Sequence, residues 1–398
     1  MNINFFKKAL KKSENSRMRI VVVGVRGIPN IEGGIETHCE KLYPRLVGLG
    51  FNVTVLGRSC FIGNKPYEYK GVKVIPFWAP KHKGIEATLH TFIGVFVAKH
   101  LHADILHIHA IGPSIFAPLA RMLGMKVVVT HHGPDYDRKK WGPFAKLILR
   151  VGEYFGVTFA NKVIVISKTI EKLIETKYKY FGSILIPNGV DLPAPRTHEE
   201  IQGTMQKYGI TMNEYILSVG RLVPEKGFHD LLNSTKNEDI KVVIAGSDPS
   251  RSKYSQSLCD LAQDCGAVMT GFVKGNELSD LFYGAALFVL ASSHEGLPIA
   301  LLEAMSYGKN VLVSDIPANL EIGLPEACYY KVGNLEEMRN KINLAVARNS
   351  SSSFAEIIKE RYNWDLIAQQ VGNVYFQLNS HDLAFIHAAA ALNEKPSV

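Results

Sequence analysis

The chain has 398 residues, 46% of them hydrophobic and 21% charged, with a formal net charge of +8. That length exceeds one typical hydrophobic core and calls for about two domains, and the composition excludes both a disordered chain and a small disulfide-stapled scaffold. Its five cysteines (Cys39, Cys60, Cys259, Cys265, Cys328) are odd in number and scattered, without a C-x-x-C pair, which points to reduced thiols, a cytoplasmic setting and no structural metal.

Residues 1–17 carry Lys7, Lys8, Lys11, Lys12 and Arg17 against Glu14 alone. Ile3, Phe6 and Leu10 can share one helical face, so the segment reads equally as an interfacial helix or a frayed basic tail, and it is too short and polar for a signal peptide. From Met18 the pattern becomes repetitive: a β-branched run, a Gly-rich turn, then an amphipathic stretch. The runs begin at Arg19, Asn52, Val72, Asp104, Lys126 and Lys162. They suit strands buried on both faces of a parallel sheet, with stretches such as Ile35 to Leu49 and Pro143 to Phe159 as covering helices. No apolar run reaches the ~18 residues of a membrane span. The best candidate, Ile85 to Ile105, is broken by His90, Lys99, His100, His102 and Asp104.

Pro187-Asn-Gly-Val-Asp191, followed by Pro193 and Pro195, reads as a hinge, after which the alternation restarts at Tyr215, Ile240, Val268, Leu287 and Asn310. The expected organisation is a basic segment over 1–17, a first doubly wound domain over 18–188, a second over 189–362, a helix crossing back over 363–380 and a tail over 381–398. Charge divides with the domains. Residues 1–190 hold 28 Lys and Arg against 12 Asp and Glu, a net of +16, whereas the remainder holds 17 against 25, a net of −8. A positive field of that size suits an anionic partner: nucleic acid, an anionic leaflet or a phosphate-bearing acceptor. The chain lacks the interleaved aromatic and basic residues of a stacking platform and any evident recognition helix, so nucleic acid is not expected.

Ligands of open α/β sheets bind beyond the carboxyl ends of the strands, and the unusual residues fall in those loops. After the first strand, Gly24 to Thr37 departs from the G-x-G-x-x-G spacing of a dehydrogenase, but Gly33 and Gly34 at a helix start can bring backbone N–H groups to an anionic oxygen. In the second domain, Arg221 and Lys226 lie five residues apart in one loop and can converge on a diphosphate, one as a planar fork and the other as a point charge. Glu295 follows the Leu287 strand, and Glu303 lies eight residues on, along an apolar helix that Pro298 can start. A carboxylate inside such a helix needs a polar partner, such as a ligand hydroxyl. His131 and His132 end another strand. Adjacent residues there point in different directions and no acidic or thiol cluster accompanies them, so no metal site is expected.

Together Gly33-Gly34-x-Glu36, Arg221 with Lys226, and Glu295-x7-Glu303 resemble the motifs of the retaining nucleotide-sugar glycosyltransferases with a GT-B fold, the E-x7-E group known as glycosyltransferase family 4, and in particular its polysaccharide-assembly members. The resemblance runs from about Met18 to Phe376 and includes Pro187 to Asp191. It implies an α/β GT-B fold, two tandem doubly wound Rossmann-like domains facing a cleft, and a metal-independent reaction without a cofactor. Arg221 and Lys226 would bind the donor diphosphate, with the Gly33 and Gly34 amides approaching from the other domain. Glu303 would hold the ribose hydroxyls, and Glu295 and His132 would lie beside the donor sugar. The backbone of Gly296, Leu297 and the turn at Pro298 would contact sugar or phosphate, and Phe272 and Val273 would border the base. The loop carrying Asp135, Arg138 and Lys139 would face the acceptor. His107 and His109 read as structural or cleft-lining.

The implied activity is retaining transfer of a sugar from a nucleoside diphosphate sugar to a hydroxyl of a glycan acceptor, lipid-diphosphate-linked, in cell-surface polysaccharide synthesis. The basic first domain then suits an enzyme of the cytoplasm or of the inner face of the cell membrane, held at an anionic surface. A nucleotide-sugar epimerase of the same fold would need no acceptor, and a non-catalytic sugar-nucleotide sensor would release no nucleoside diphosphate.

Overall fold

The computed structural model describes residues 17–79, 85–137, 141–248, 251–347 and 354–379. The basic segment before residue 17, the tail after 380, and Arg138 and Lys139 lie outside them. The front lobe comprises β1 (Arg19–Val23), α1 (Gly34–Gly48), β2 (Asn52–Arg58), β3 (Tyr67–Tyr69), β4 (Val72–Phe77), α2 (Ile85–His100), β5 (Ile105–His109), β6 (Lys126–His131), α3 (Pro143–Phe159), β7 (Lys162–Val165), α4 (Lys168–Tyr178) and β8 (Ser183–Leu185). Its eight-stranded sheet runs β3-β4-β2-β1-β5-β6-β7-β8. The rear lobe carries β9 (Tyr215–Val219), α5 (Phe228–Thr235), β10 (Lys241–Ala245), β11 (Val268–Gly271), β12 (Leu287–Leu290), α6 (Ile299–Ser306), β13 (Asn310–Ser314) and β14 (Tyr329–Tyr330). Its six strands run β11-β10-β9-β12-β13-β14.

The strand order in each sheet reverses beside its first strand, so each has a switch point at which loops part to form a crevice. The central strands are near-continuous apolar runs because helices cover both faces. β12 is buried at every position, and so is β5, although β5 includes His107 and His109. All pairings in both sheets are parallel except β3 with β4. That hairpin turns on Lys70 and Gly71, whose φ values of 47° and 83° match the double positive φ of a type I′ turn.

A last helix, α7 (Trp364–Leu378), leaves the rear lobe and packs on α1. Trp364, Ile367, Val371, Val374 and Tyr375 are buried in the same apolar cluster as Ile20, Leu42, Leu46 and Phe51. Arg45 of α1 reaches Asp191 at 2.7 Å and Asp365 at 2.8 Å, joining both strands of the hinge. None of the described helices is long and apolar enough to cross a membrane.

Candidate active site

The loop after β1 is braced from inside. Gly33 has φ 146°, and a Cβ there would lie 2.1 Å from Glu36 Oε2. Glu36 Oε1 accepts the Arg26 N–H at 3.2 Å. Glycine is therefore required at 33, and helix α1 begins at Gly34 with no side-chain cap from its N-cap residue. Its first-turn amides and dipole would favour an anion placed there.

Across the cleft, Arg221 follows β9, and the next residue, Leu222, donates its N–H to the Ser247 carbonyl at 3.1 Å. Ser247 in turn meets the front lobe: its hydroxyl donates to Glu32 Oε2 at 2.8 Å and its N–H to Glu32 Oε1 at 3.4 Å. The Gly33–Gly34 loop and the Arg221 loop are thus held against each other, although more than 180 residues separate them in sequence.

Lys226 ends a 3-10 turn over Pro224–Lys226. Its Nζ lies 2.6 Å from Glu295 Oε1, which also accepts the Ser292 hydroxyl at 2.6 Å. The structure therefore brings Lys226 and Glu295 together as a half-buried ion pair. Gly227 has φ 65°, and a Cβ there would lie 2.1 Å from the Ala291 carbonyl, so the Lys226 turn and the loop after β12 are in backbone contact.

Glu303 lies in α6, which Pro298 caps at its N-terminus. Burial raises its carboxyl to about 7, Lys41 pulls it down and Asp191 pushes it up. Lys41 and Asp191 themselves pair at 2.7 Å, so α1, the hinge and α6 converge here. Phe272 is 46% exposed, whereas Val273 is packed in the rear core and offers a ligand only its backbone. Leu297 is likewise buried, and its carbonyl accepts Asn188 Nδ2 at 3.1 Å.

The two histidines at the end of β6 part, as alternation along a strand requires. His131 turns into the lobe, where Glu153 Oε1 lies 2.9 Å from its Nε2. Burial would raise the Glu153 carboxyl, but His131, Lys177 and Tyr178 hold it down at about 2. His132 turns the other way, toward His109 and His38. Its carbonyl abuts Gly296, where a Cβ would lie 2.2 Å away. Its Nε2 meets His109 Nδ1 at 2.9 Å. His38 completes the cluster, with Nδ1 at 2.9 Å from Asn188 Oδ1.

Among the described residues, His38, His109 and His132 are the group whose ligand atoms lie within 4.8 Å of one another and could hold a metal ion. Burial lowers all three, His38 to about 4, so they are neutral at pH 7. Asp135 opens a 3-10 turn just beyond this cluster.

Sequence reasoning passed over Glu32, His38, Glu153, Asn188 and Ser247. Glu153 had a usable signal, being an acid within an apolar helix like Glu303. Glu32, Asn188 and Ser247 are ordinary loop residues whose role exists only once the lobes meet.

Two facing doubly wound lobes of this topology define the GT-B class of glycosyltransferases. Residues 32–193 match the family model of Glycosyltransferase Family 4, and residues 201–364 match that of Glycosyl transferases group 1. TuaC of Bacillus subtilis, provisionally assigned as a teichuronic acid biosynthesis glycosyltransferase, is 28% identical over 268 residues, which are 63% of this chain and 65% of that protein. Sucrose-phosphate synthase from Thermosynechococcus elongatus superposes with a TM-score of 0.79 at 21% identity over 92% of this chain and 100% of its own. Anabaena HepE, solved in complex with UDP and glucose, gives 0.75 at 17% identity over 91% and 100%. The chain is a GT-B glycosyltransferase of the family 4 type.

Proposed function

We propose that the protein transfers a sugar, with retention at the anomeric carbon, from a nucleoside diphosphate sugar to a hydroxyl of a glycan acceptor carried on a lipid diphosphate, in the assembly of a cell-surface polysaccharide. The observation that carries this reading is the Lys226–Glu295 pair at 2.6 Å, in a rear lobe whose Ser247 meets Glu32, beside Gly33, in the front lobe.

In this reading the donor diphosphate lies against Arg221, Lys226 and the first amides of α1. The anomeric C–O bond breaks with its electron pair passing to the β-phosphate, and the two cations stabilise the charge as it grows in a cleft that excludes water. The acceptor oxygen bonds to the anomeric carbon on the face the phosphate leaves, and its proton passes to that phosphate. Glu295 holds Lys226 in place and borders the sugar. Glu303 accepts ribose hydroxyls, Phe272 and the Val273 backbone border the base, and the Gly296–Pro298 turn and His132 contact the sugar. No step needs a metal or cofactor.

The acceptor side is the front lobe, at Asp135 and, outside the described residues, Arg138 and Lys139. The net of +16 over residues 1–190 suits a lipid diphosphate at an anionic leaflet. Phe144, 76% exposed, and Leu147, 57% exposed, give α3 an apolar edge for the same surface.

A panel of nucleoside diphosphate sugars scored by thermal stabilisation, then by turnover with lipid-linked acceptors in the presence of EDTA, tests the whole reading. Acceptor-dependent release of nucleoside diphosphate and a product of unchanged anomeric configuration are expected. Conversion of the donor without acceptor would make the protein an epimerase, and inverted product would overturn retention. Binding to vesicles of anionic lipid should weaken when residues 1–17 are deleted and first-domain lysines are neutralised.

A further inference from the structure

Behind His132 the front lobe buries a continuous chain of imidazoles and phenols that the reaction scheme leaves unused. His132 Nε2 meets His109 Nδ1 at 2.9 Å, and His109 Nε2 meets the Tyr43 hydroxyl at 2.5 Å. Tyr43 also lies 3.1 Å from His107 Nδ1, to which the Tyr375 hydroxyl is closer, at 2.6 Å. His107 Nε2 meets Thr130 Oγ1 at 2.7 Å. Tyr43, His107, His109 and Tyr375 are all buried, and Tyr375 belongs to α7, which arrives from the far end of the chain.

A neutral imidazole has one N–H and one lone pair, so each contact in the chain fixes the next. Two directions satisfy every group. In one, the phenols donate: Tyr375 to His107 Nδ1 and Tyr43 to His109 Nε2, so that His109 Nδ1–H donates to His132 Nε2 and the His132 proton sits on Nδ1. In the other, His132 Nε2–H and His109 Nε2–H donate along the chain and Tyr43 must give its proton to Tyr375 or His107.

A phenol is a far more acidic donor than a neutral imidazole N–H, and an imidazole nitrogen is a far more basic acceptor than a phenol oxygen. The first direction makes two phenol-to-imidazole bonds and the second makes one. Tyr375 occupies His107 Nδ1 and thereby leaves the Tyr43 proton for His109. His38 offers the chain no competing N–H, only the lone pair of its Nε2. Asn188 Nδ2 donates to the Leu297 carbonyl, so Asn188 Oδ1 is the acceptor and the His38 proton stays on Nδ1.

We propose that Tyr43 and Tyr375 are positioning residues that, through His107 and His109, lock His132 in its Nδ1–H tautomer, so that it presents a hydrogen-bond donor to a sugar hydroxyl oxygen in the cleft. The second half of this inference rests on the placement of His132 beside the donor sugar under Proposed function. The first half does not.

Long-range proton–nitrogen NMR on isotope-labelled full-length protein without donor, with His132 assigned by comparison with His132→Gln, separates protonated from unprotonated ring nitrogens. A protonated Nδ1 and bare Nε2 are expected in the wild type, and an unprotonated Nδ1 there overturns the proposal without any variant having to fold. Tyr43→Phe should convert His132 to a mixture of tautomers and lower kcat/KM for the donor about three- to tenfold, the worth of one hydrogen bond. Tyr375→Phe, which frees His107 Nδ1 for the Tyr43 proton, should shift the mixture in the same direction. Unchanged tautomers in folded variants overturn the inference, as does a tautomer shift with no loss of kcat/KM. Absence of any transfer by the wild type would instead refute the proposed reaction, with the tautomer measurement still deciding the locking.

Discussion

Lys226 faces two demands, since Glu295 holds its ammonium at 2.6 Å while a donor phosphate would draw on the same charge. Under the proposed reaction, removing it would take away transition-state stabilisation, and it leaves Glu295 half-buried with one fewer cation. Lys226→Ala is expected to lower kcat about 10²- to 10³-fold in steady-state assays, the usual cost of a group aimed at developing charge. Glu303 predicts a pH dependence with a definite sign. Its carboxyl titrates at about 7, raised by burial against the pull of Lys41. Under the proposed reaction, ribose hydroxyls would donate to the ionised form, which becomes the majority only above that pH. The KM for the donor should therefore fall as pH rises from 6 to 8, and Glu303→Gln should flatten the profile.

At the level of elements, the junction between the β6 loop and the α6 loop is set by close backbone approach. A Cβ at Gly296 would stand 2.2 Å from the His132 carbonyl, and a Cβ at Gly133 would lie 3.6 Å from Gly296 Cα on the same seam. Gly296→Ala must push the two loops apart, and a displacement of this kind costs reaction geometry more than folding. A fall in kcat of tenfold or more with little change in melting temperature is the expected result.

Elements α3 and α4 are joined instead by Glu153, which accepts from His131, Tyr136, Lys177 and Tyr178. The folded carboxyl sits at about 2, below its ordinary 4.5. A depressed carboxyl contributes stability above its unfolded value and loses it as pH falls through the folded one. The free energy of unfolding, read from denaturant curves, should thus decline as pH falls from about 4.5 to below 2, by of order 3 kcal/mol in all. Glu153→Gln should remove most of that slope and lower stability at pH 7, because the surrounding cation and hydroxyls keep no anion to satisfy them.

Over the whole molecule, the two lobes share one apolar cluster, in which Val165, Ile166 and Ile170 of the front lobe join Leu297, Leu301 and Ile322 of the rear, and a few polar contacts at separate places add to it. Glu32 meets Ser247 at one end. At another, Glu321 of the rear lobe accepts the backbone N–H groups of Lys168 at 2.5 Å and Thr169 at 3.0 Å, at the start of α4. Between them, Asn188 ties His38 to the Leu297 carbonyl. Each is worth about 1 kcal/mol or somewhat more, enough to bias an open–closed equilibrium but not to freeze it. Ser247→Ala should increase the radius of gyration in solution scattering and raise the donor KM severalfold while leaving the melting temperature nearly unchanged.

The α/β class, the restart of alternation after Asp191, the loops carrying Gly33, Arg221 and Glu295 and the helix carrying Glu303 were legible in the sequence by itself, because strand runs and the turns and helices after them are local patterns written in consecutive residues. The β3 hairpin was less so, since Tyr67 to Tyr69 is short and its signal lay in the Lys70-Gly71 turn. Only the tertiary structure decided that Lys226 pairs with Glu295, that Glu32 meets Ser247, and that His132 ends a chain reaching Tyr375. Those contacts include pairs about 70 to 270 residues apart, and burial, hydrogen-bond direction and the neutral state of an imidazole depend on which groups the packed lobes bring within 3 Å of one another.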